Sequence, residues 1–193
     1  MMRFLLVCVL MLCAMPSWAS ITDYVVKQWN IKDGLPSQSL KSVVQDQQVY
    51  MWVGTQFGLS RFDGTTFTNY NTQNSPFLPS NGINKLLIDS NGYLWVGTKS
   101  GLVVINPQTL AAQEFNIKGP VRDILEDAKG SIWIAANGLY YVDRNQVDLR
   151  DKANELVPIV NATVITQIVG SVSQMALSPE GIWLVNDRHL LRL

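Results

Sequence analysis

Four tryptophans head variants of one short phrase. The copies are Trp52-Val-Gly-Thr-Gln-Phe-Gly-Leu, Trp95-Val-Gly-Thr-Lys-Ser-Gly-Leu, Trp133-Ile-Ala-Ala-Asn-Gly-Leu and Trp183-Leu-Val-Asn-Asp, at steps of 43, 38 and 50 residues. An aspartate stands six residues before each of the first three, at Asp46, Asp89 and Asp127. Ser178 stands five residues before the fourth. A second marker repeats with the first step: Leu35-Pro36-Ser37-Gln38-Ser39-Leu40 returns 43 residues on as Leu78-Pro79-Ser80-Asn81-Gly82-Ile83. A period near 40 residues with one aromatic strand per unit marks a β-propeller blade.

Each unit divides into four strands. The first is Leu40–Gln45, Ile83–Ile88, Val121–Glu126 or Val172–Leu177, and the second carries the tryptophan. Between them lies a polar hairpin such as Asp89-Ser90-Asn91-Gly92, where Asp holds turn amides and Gly accepts positive φ. The third strand is Leu59–Phe62, Leu102–Ile105 or Leu139–Val142, and the fourth Phe67–Tyr70, Gln113–Ile117 or Gln146–Leu149. Short strands with turns between them predict an all-β fold of four-stranded antiparallel blades. The blades fall roughly at 40–74, 83–117, 121–150 and 171–193, within a repeat region at 20–193. Gly54 and Gly97 follow the Trp-Val pairs and leave room for the neighbouring blade's backbone. A blade cannot hide both faces alone, so blades must stack. Residues 145–171 depart from the repeat, and Val157–Gly170 has no counterpart in the other units.

The N-terminus reads as a cleavable export signal over residues 1–19. Arg3 supplies the positive start, Phe4–Met15 a run too short to span a bilayer, and Ser17-Trp18-Ala19 the small residues for cleavage after Ala19. This predicts a periplasmic location. Both cysteines, Cys8 and Cys13, lie in that segment, so the mature chain has no disulfide and no thiolate site. Lys+Arg and Asp+Glu each number 15, and loss of Arg3 leaves the mature chain near neutral. That excludes an electrostatic footprint for nucleic acid or an anionic membrane. Tyr24–Ile31, within residues 22–32, reads as an orphan closing strand. It either completes a four-bladed ring by pairing with His189–Leu193, or the chain is an N-terminal fragment of a larger propeller. The fragment reading leaves open strand edges that favour self-association.

Asp89-Ser90-Asn91-Gly92-Tyr93-Leu94-Trp95-Val96-Gly97-Thr98-Lys99-Ser100-Gly101-Leu102 resembles the two-component regulator propeller repeat. Trp29-Asn-Ile-Lys-Asp-Gly-Leu-Pro-Ser37 resembles the opening of the same sensor regions. The resemblance covers most of 22–142 and fades in the fourth unit. It implies a periplasmic sensory region, usually followed by an immunoglobulin-like domain, a membrane helix and a histidine kinase or diguanylate cyclase output.

Recurring residues serve packing, so chemistry must be sought in what varies. His189 is the sole histidine and has no triad or zinc partners in sequence. Asp89–Gly92 lacks the remaining oxygen ligands of a calcium loop. Asp33, Asp63, Asp123, Glu126 and Asp127 are weighed as a glycosidase-type carboxylate pair, but Asp63 and Asp127 sit at turns, where acidic residues are ordinary. No catalytic, metal or cofactor residue is predicted. The second-to-third-strand loops differ between blades, which nominates Gln56, Phe57, Lys99, Ser100, Asn137, Asp187 and Arg188 for ligand binding. The sequence thus predicts a non-enzymatic ligand-sensing module, for a small molecule, an oligosaccharide or a periplasmic protein. Two rival readings are a free-standing propeller scaffold and a propeller lyase or glycosidase.

Overall fold

The computed structural model describes residues 25–193 apart from 118, 150, 151, 154, 167, 169 and 188. The export-signal expectation at 1–19 lies outside the described residues. The repeat becomes a series of β-sheets. The first is β1 (Leu40–Gln45), β2 (Met51–Thr55), β3 (Gly58–Phe62) and β4 (Phe67–Tyr70), antiparallel in that order. The second adds β5 (Ile83–Ile88), β6 (Leu94–Thr98), β7 (Leu102–Ile105) and β8 (Ala112–Phe115). The third begins β9 (Asp123–Glu126), β10 (Ile132–Ala136) and β11 (Gly138–Val142).

The segment 145–171 corrects the expected third blade. Its fourth strand is not Gln146–Leu149. Asp143 caps a 3-10 turn at Arg144–Gln146, its side chain accepting from the Asn145 amide while Gln146 Oε1 accepts from the Asp143 amide. Leu149 is then buried and tied to the second blade: its amide donates to the Tyr93 hydroxyl, and its carbonyl accepts from Asn106 Nδ2. From there the chain enters β12 (Leu156–Val160), which pairs parallel with β8 as a fifth strand. Pro158 within β12 has no N–H, a lack that an edge strand tolerates. The chain then returns as β13 (Thr163–Val164), the true fourth strand of the third blade. The fourth sheet is β14 (Val172–Ser178), β15 (Gly181–Asn186) and β16 (His189–Arg192).

The orphan strand is also corrected. Residues 25–30 form no strand, and Ile31–Asp33 is a 3-10 turn. Asn-Ile-Lys-Asp-Gly is a capping sequence: Asn30 Oδ1 accepts from the Lys32 amide, Asp33 Oδ2 accepts from the Asn30 amide, and Gly34 takes φ +106°. Among the described residues β16 pairs only with β15. Trp29 instead sets its edge on Phe62, 5.0 Å between ring centroids, on the outer side of the first blade.

One bracket recurs in the first three blades. Each turn aspartate accepts two amides on Oδ1 and the indole N–H of its tryptophan on Oδ2. For Asp46 the donors are Gln48 and Tyr50 amides and Trp52 Nε1 at 2.7 Å. For Asp89 they are Asn91 and Tyr93 amides and Trp95 Nε1 at 2.8 Å. For Asp127 they are Lys129 and Ser131 amides and Trp133 Nε1 at 3.0 Å. Ser178 Oγ replaces the carboxylate for Trp183. The six-residue offset is therefore the reach of a hairpin whose aspartate holds both the turn and the aromatic.

The tryptophans are not equally buried. Trp52 stacks on Tyr70 of β4 and Trp95 on Phe115 of β8, and both are sealed from solvent. Trp133 is only half-buried, so the three indole sites are not equivalent. The two-residue β13 brings no aromatic to cover it, and it meets Tyr141 of its own blade edge-on instead. Cores form between blades. Trp52 and Leu59 join Ile83, Leu86 and Val96; Trp95 and Phe115 join Ile124, Ile134 and Tyr140; Ala135 and Leu139 join Val172 and Leu184. Gly97 faces the next blade's side chains rather than its backbone, and an added Cβ would sit 2.6 Å from Val121 Cγ1.

Burial also separates the bracket carboxylates electrostatically. Desolvation raises Asp89 above the ordinary 3.8, outweighing the bonds from Trp95, Tyr93 and Asn91, and nearby Glu126 adds to the rise. At Asp127 desolvation again pushes upward, but the bonds from Trp133, Ser131 and Lys129 and the Lys129 charge outweigh it, so the group falls below 3.8. The two act oppositely on folding. Asp127 contributes stability present above pH 3.8 and lost as pH falls through its lowered folded value. Asp89 imposes a cost above its raised folded value, and acidification relieves it. Urea titrations across the acid range are expected to show Asp127→Asn losing less stability on acidification than the parent chain.

Candidate functional site

The first strands lie side by side, β1 against β5, β5 against β9 and β9 against β14, which makes them the axial strands. Three of them slip register at one place: between Leu40 and Ser42, Ile83 and Lys85, and Val172 and Gln174. Each slip leaves one unpaired residue, Lys41, Asn84 or Ser173. Arg122 holds the matching place before β9, its amide donating to the Ala135 carbonyl at 2.8 Å. Bulges turn side chains out of the regular pleat and gather at rims and binding sites. These four residues differ in every blade, and all four line one cavity of about 620 Å³. Its lining adds Lys85, Asp123, Met175, Trp183 and Leu190.

Asp123 ties this site together. Its Oδ1 lies 2.8 Å from Lys85 Nζ of the second blade. Its Oδ2 accepts the Met175 amide of the fourth at 2.8 Å. Asn84 Nδ2 donates to the Val121 carbonyl at 2.9 Å, another link between blades. Arg122 Nη1 and Nη2 both donate to Asn137 Oδ1 at 3.3 Å.

None of the six nominated loop residues that the structure describes lines this cavity. The inner bulges and the nominated loops share one end of each blade, since Leu40 pairs with Thr55 and Ile83 with Thr98. Asn137 borders the site through Arg122. Phe57 is 59% exposed at the tip of its loop. The Phe57 and Ser100 amides donate to Thr55 and Thr98 hydroxyls, which shape the two loops alike. Gln56 lies exposed beside Phe57. The Lys99 stem packs over Gly82. Asp187 takes φ +47° in the β15–β16 turn, and its amide donates to the Ser171 carbonyl. Arg188 lies outside the described residues. Sequence reasoning missed the axial residues, although a signal existed: Lys41, Asn84 and Arg122 vary at a constant eleven residues before the tryptophan, with Ser173 one residue closer.

The weighed carboxylates are occupied structurally. Asp33 caps a turn, Asp63 accepts Thr65 and Thr66 amides, and Glu126 accepts from the Ser90 amide. Hydrogen bonding from Thr66 leads the lowering of Asp63 below its ordinary value. His189 is exposed on β16 opposite Asn186. Among the described residues no three His, Cys, Asp or Glu side chains converge as a metal site.

Residues 78–100 match the family model described as two component regulator propeller. The match starts at the repeated Leu-Pro-Ser marker and spans β5 and β6 with their Asp–Trp bracket. A 58-residue stretch is 40% identical to Histidine kinase P4 of Formosa agariphila, covering 30% of this chain and 4% of that protein. The fold is that of the extracellular domain of the hybrid two component system BT3049 from B. thetaiotaomicron, with TM-score 0.63 and 19% identity over 88% of this chain and 26% of that one. The extracellular domain of BT4673 from the same organism gives 0.64 and 19% over 88% and 27%. The chain thus spans about a quarter of the solved chains it resembles. The designed Ika4 protein is matched over 91% of its length at TM-score 0.52 and 10% identity. Virginiamycin B lyase from Staphylococcus aureus shares the fold at TM-score 0.52 and 14% identity, over 80% of this chain and 55% of that one. The chain is an all-β series of propeller blades.

Proposed function

We propose that this chain is a periplasmic ligand-sensing propeller module, the input part of a two-component or diguanylate cyclase signalling protein, and that it binds its ligand at the axial cavity. The carrying observation is the placement of variable, polar bulge residues from successive blades around one cavity, on a frame whose recurring residues are committed to packing. The regulator-propeller match over 78–100 supports the signalling context. The apolar start of the chain supports export, with cleavage after Ala19. The module is non-enzymatic in this reading: the carboxylates weighed for hydrolysis are held in turns and blade contacts.

A thermal-shift screen of the exported chain against small molecules tests the site. Ligands are expected to raise the melting temperature of the parent chain and to lose that effect in Ser173→Trp, which fills the cavity from an exposed bulge position. A ligand that stabilises Ser173→Trp as strongly as the parent would contradict the assignment.

A further inference from the structure

The axial cavity carries unbalanced positive charge. Lys41, Lys85 and Arg122 line it against Asp123 alone. That one carboxylate is already engaged by Lys85 Nζ and the Met175 amide. The pair joins three blades and leaves little net charge of its own. Lys41 and Arg122 form no ion pair among the described residues. Asn137 orients Arg122 with a neutral oxygen, so the guanidinium is fixed without being cancelled. Two of its N–H groups face Asn137, and the remainder are available to a ligand. An oriented guanidinium matches the planar geometry of a carboxylate. Met175, Trp183 and Leu190 add apolar lining to the same cavity. A volume of about 620 Å³ suits a small organic molecule.

We infer that the cavity takes a carboxylate-bearing small molecule, its charge meeting Arg122 and Lys41 and its body resting on Met175, Trp183 and Leu190. This rests on the reading of the axial cavity as the ligand site and names the ligand's chemistry. A neutral ligand would leave two cations without a partner inside a partly enclosed site, whereas an acid converts both into charge-assisted contacts.

Titration calorimetry of the full chain at low salt, where screening is weak, with two matched pairs tests this. Benzoate is set against benzamide, and D-galacturonate against D-galactose. Within each pair the body is kept and the charge removed. At least one acid is expected to bind, with its neutral counterpart at least about tenfold weaker. Arg122→Gln and Lys41→Gln are each expected to weaken the acid about tenfold. Urea midpoints establish that both variants remain folded, and Lys41 is exposed, so at least that variant keeps its fold. The responding pair separates a sugar acid from an aromatic acid. Equal binding of acid and neutral counterpart, acid binding unmoved in both variants, or failure of both acids to bind would each overturn the anionic assignment. Neutral binding that Ser173→Trp abolishes would leave the sensing site standing while removing its anionic character. Binding that Ser173→Trp leaves intact would remove the site itself.

Discussion

Trp95→Ala is expected to destabilise the chain by about 3–5 kcal/mol, the cost of emptying a large buried aromatic site. Trp95 is 1% exposed, stacks 5.5 Å from Phe115 and donates to Asp89 at 2.8 Å. Its loss opens a cavity in the core shared by the second and third blades and removes a donor from a buried carboxylate. Those two effects add because the surrounding strands are fixed on both sides and collapse poorly. Trp29→Ala is expected to cost much less, since that ring is half-exposed and meets Phe62 by its edge. Trp133→Ala should fall between them, because no fourth-strand aromatic covers its ring. Urea denaturation of the three variants checks the order, and equal losses at Trp95 and Trp29 would contradict the blade assignment.

Asp89→Ala is expected to cost about 2–3 kcal/mol, because each buried donor left unmade costs about 1–3 kcal/mol. The change strands the Trp95 indole N–H together with the Asn91 and Tyr93 amides. Relief of the buried charge offsets part of that loss, which keeps the total below the sum of three orphaned donors. Asp127→Ala should cost less than Asp89→Ala, because the Asp127 hairpin is more open and water can replace the missing acceptor. A differential urea measurement on the two variants decides the order. A larger loss at Asp127 would mean that burial does not govern the bracket.

The Asp-to-Trp offset and the alternation around each tryptophan made the blades legible. Strands of the first two sheets fall within a residue or two of their expected bounds. Those signals are local, since each needs only a hairpin and a pleat. What was not legible depends on contacts between distant segments. β12 is a short apolar run that fits any sheet edge, and only the tethering of Leu149 by Tyr93 and Asn106 sends it to the second blade. Tyr24–Ile31 reads as a strand by composition, yet residues 25–30 form none and lead into the Asn30-capped turn. The nominated loops lie at the same end of the blades as the axial cavity, but the described ones do not line it, and a bulge is a mismatch between two strands that cannot be read from either alone. Lys41, Asn84, Arg122 and Ser173 vary between units, but they sit inside the first strands, whereas variation was sought in the loops.

The most direct measurement is an amide-resolved NMR titration of the chain with a ligand that raises its melting temperature. The account predicts that the largest shifts fall on Lys41, Asn84, Arg122 and Ser173 and on their immediate neighbours, four positions far apart in sequence and joined only at the axial cavity. Shifts confined to the Gln56–Phe57 and Lys99–Ser100 loops, with these four axial positions unmoved, would contradict it.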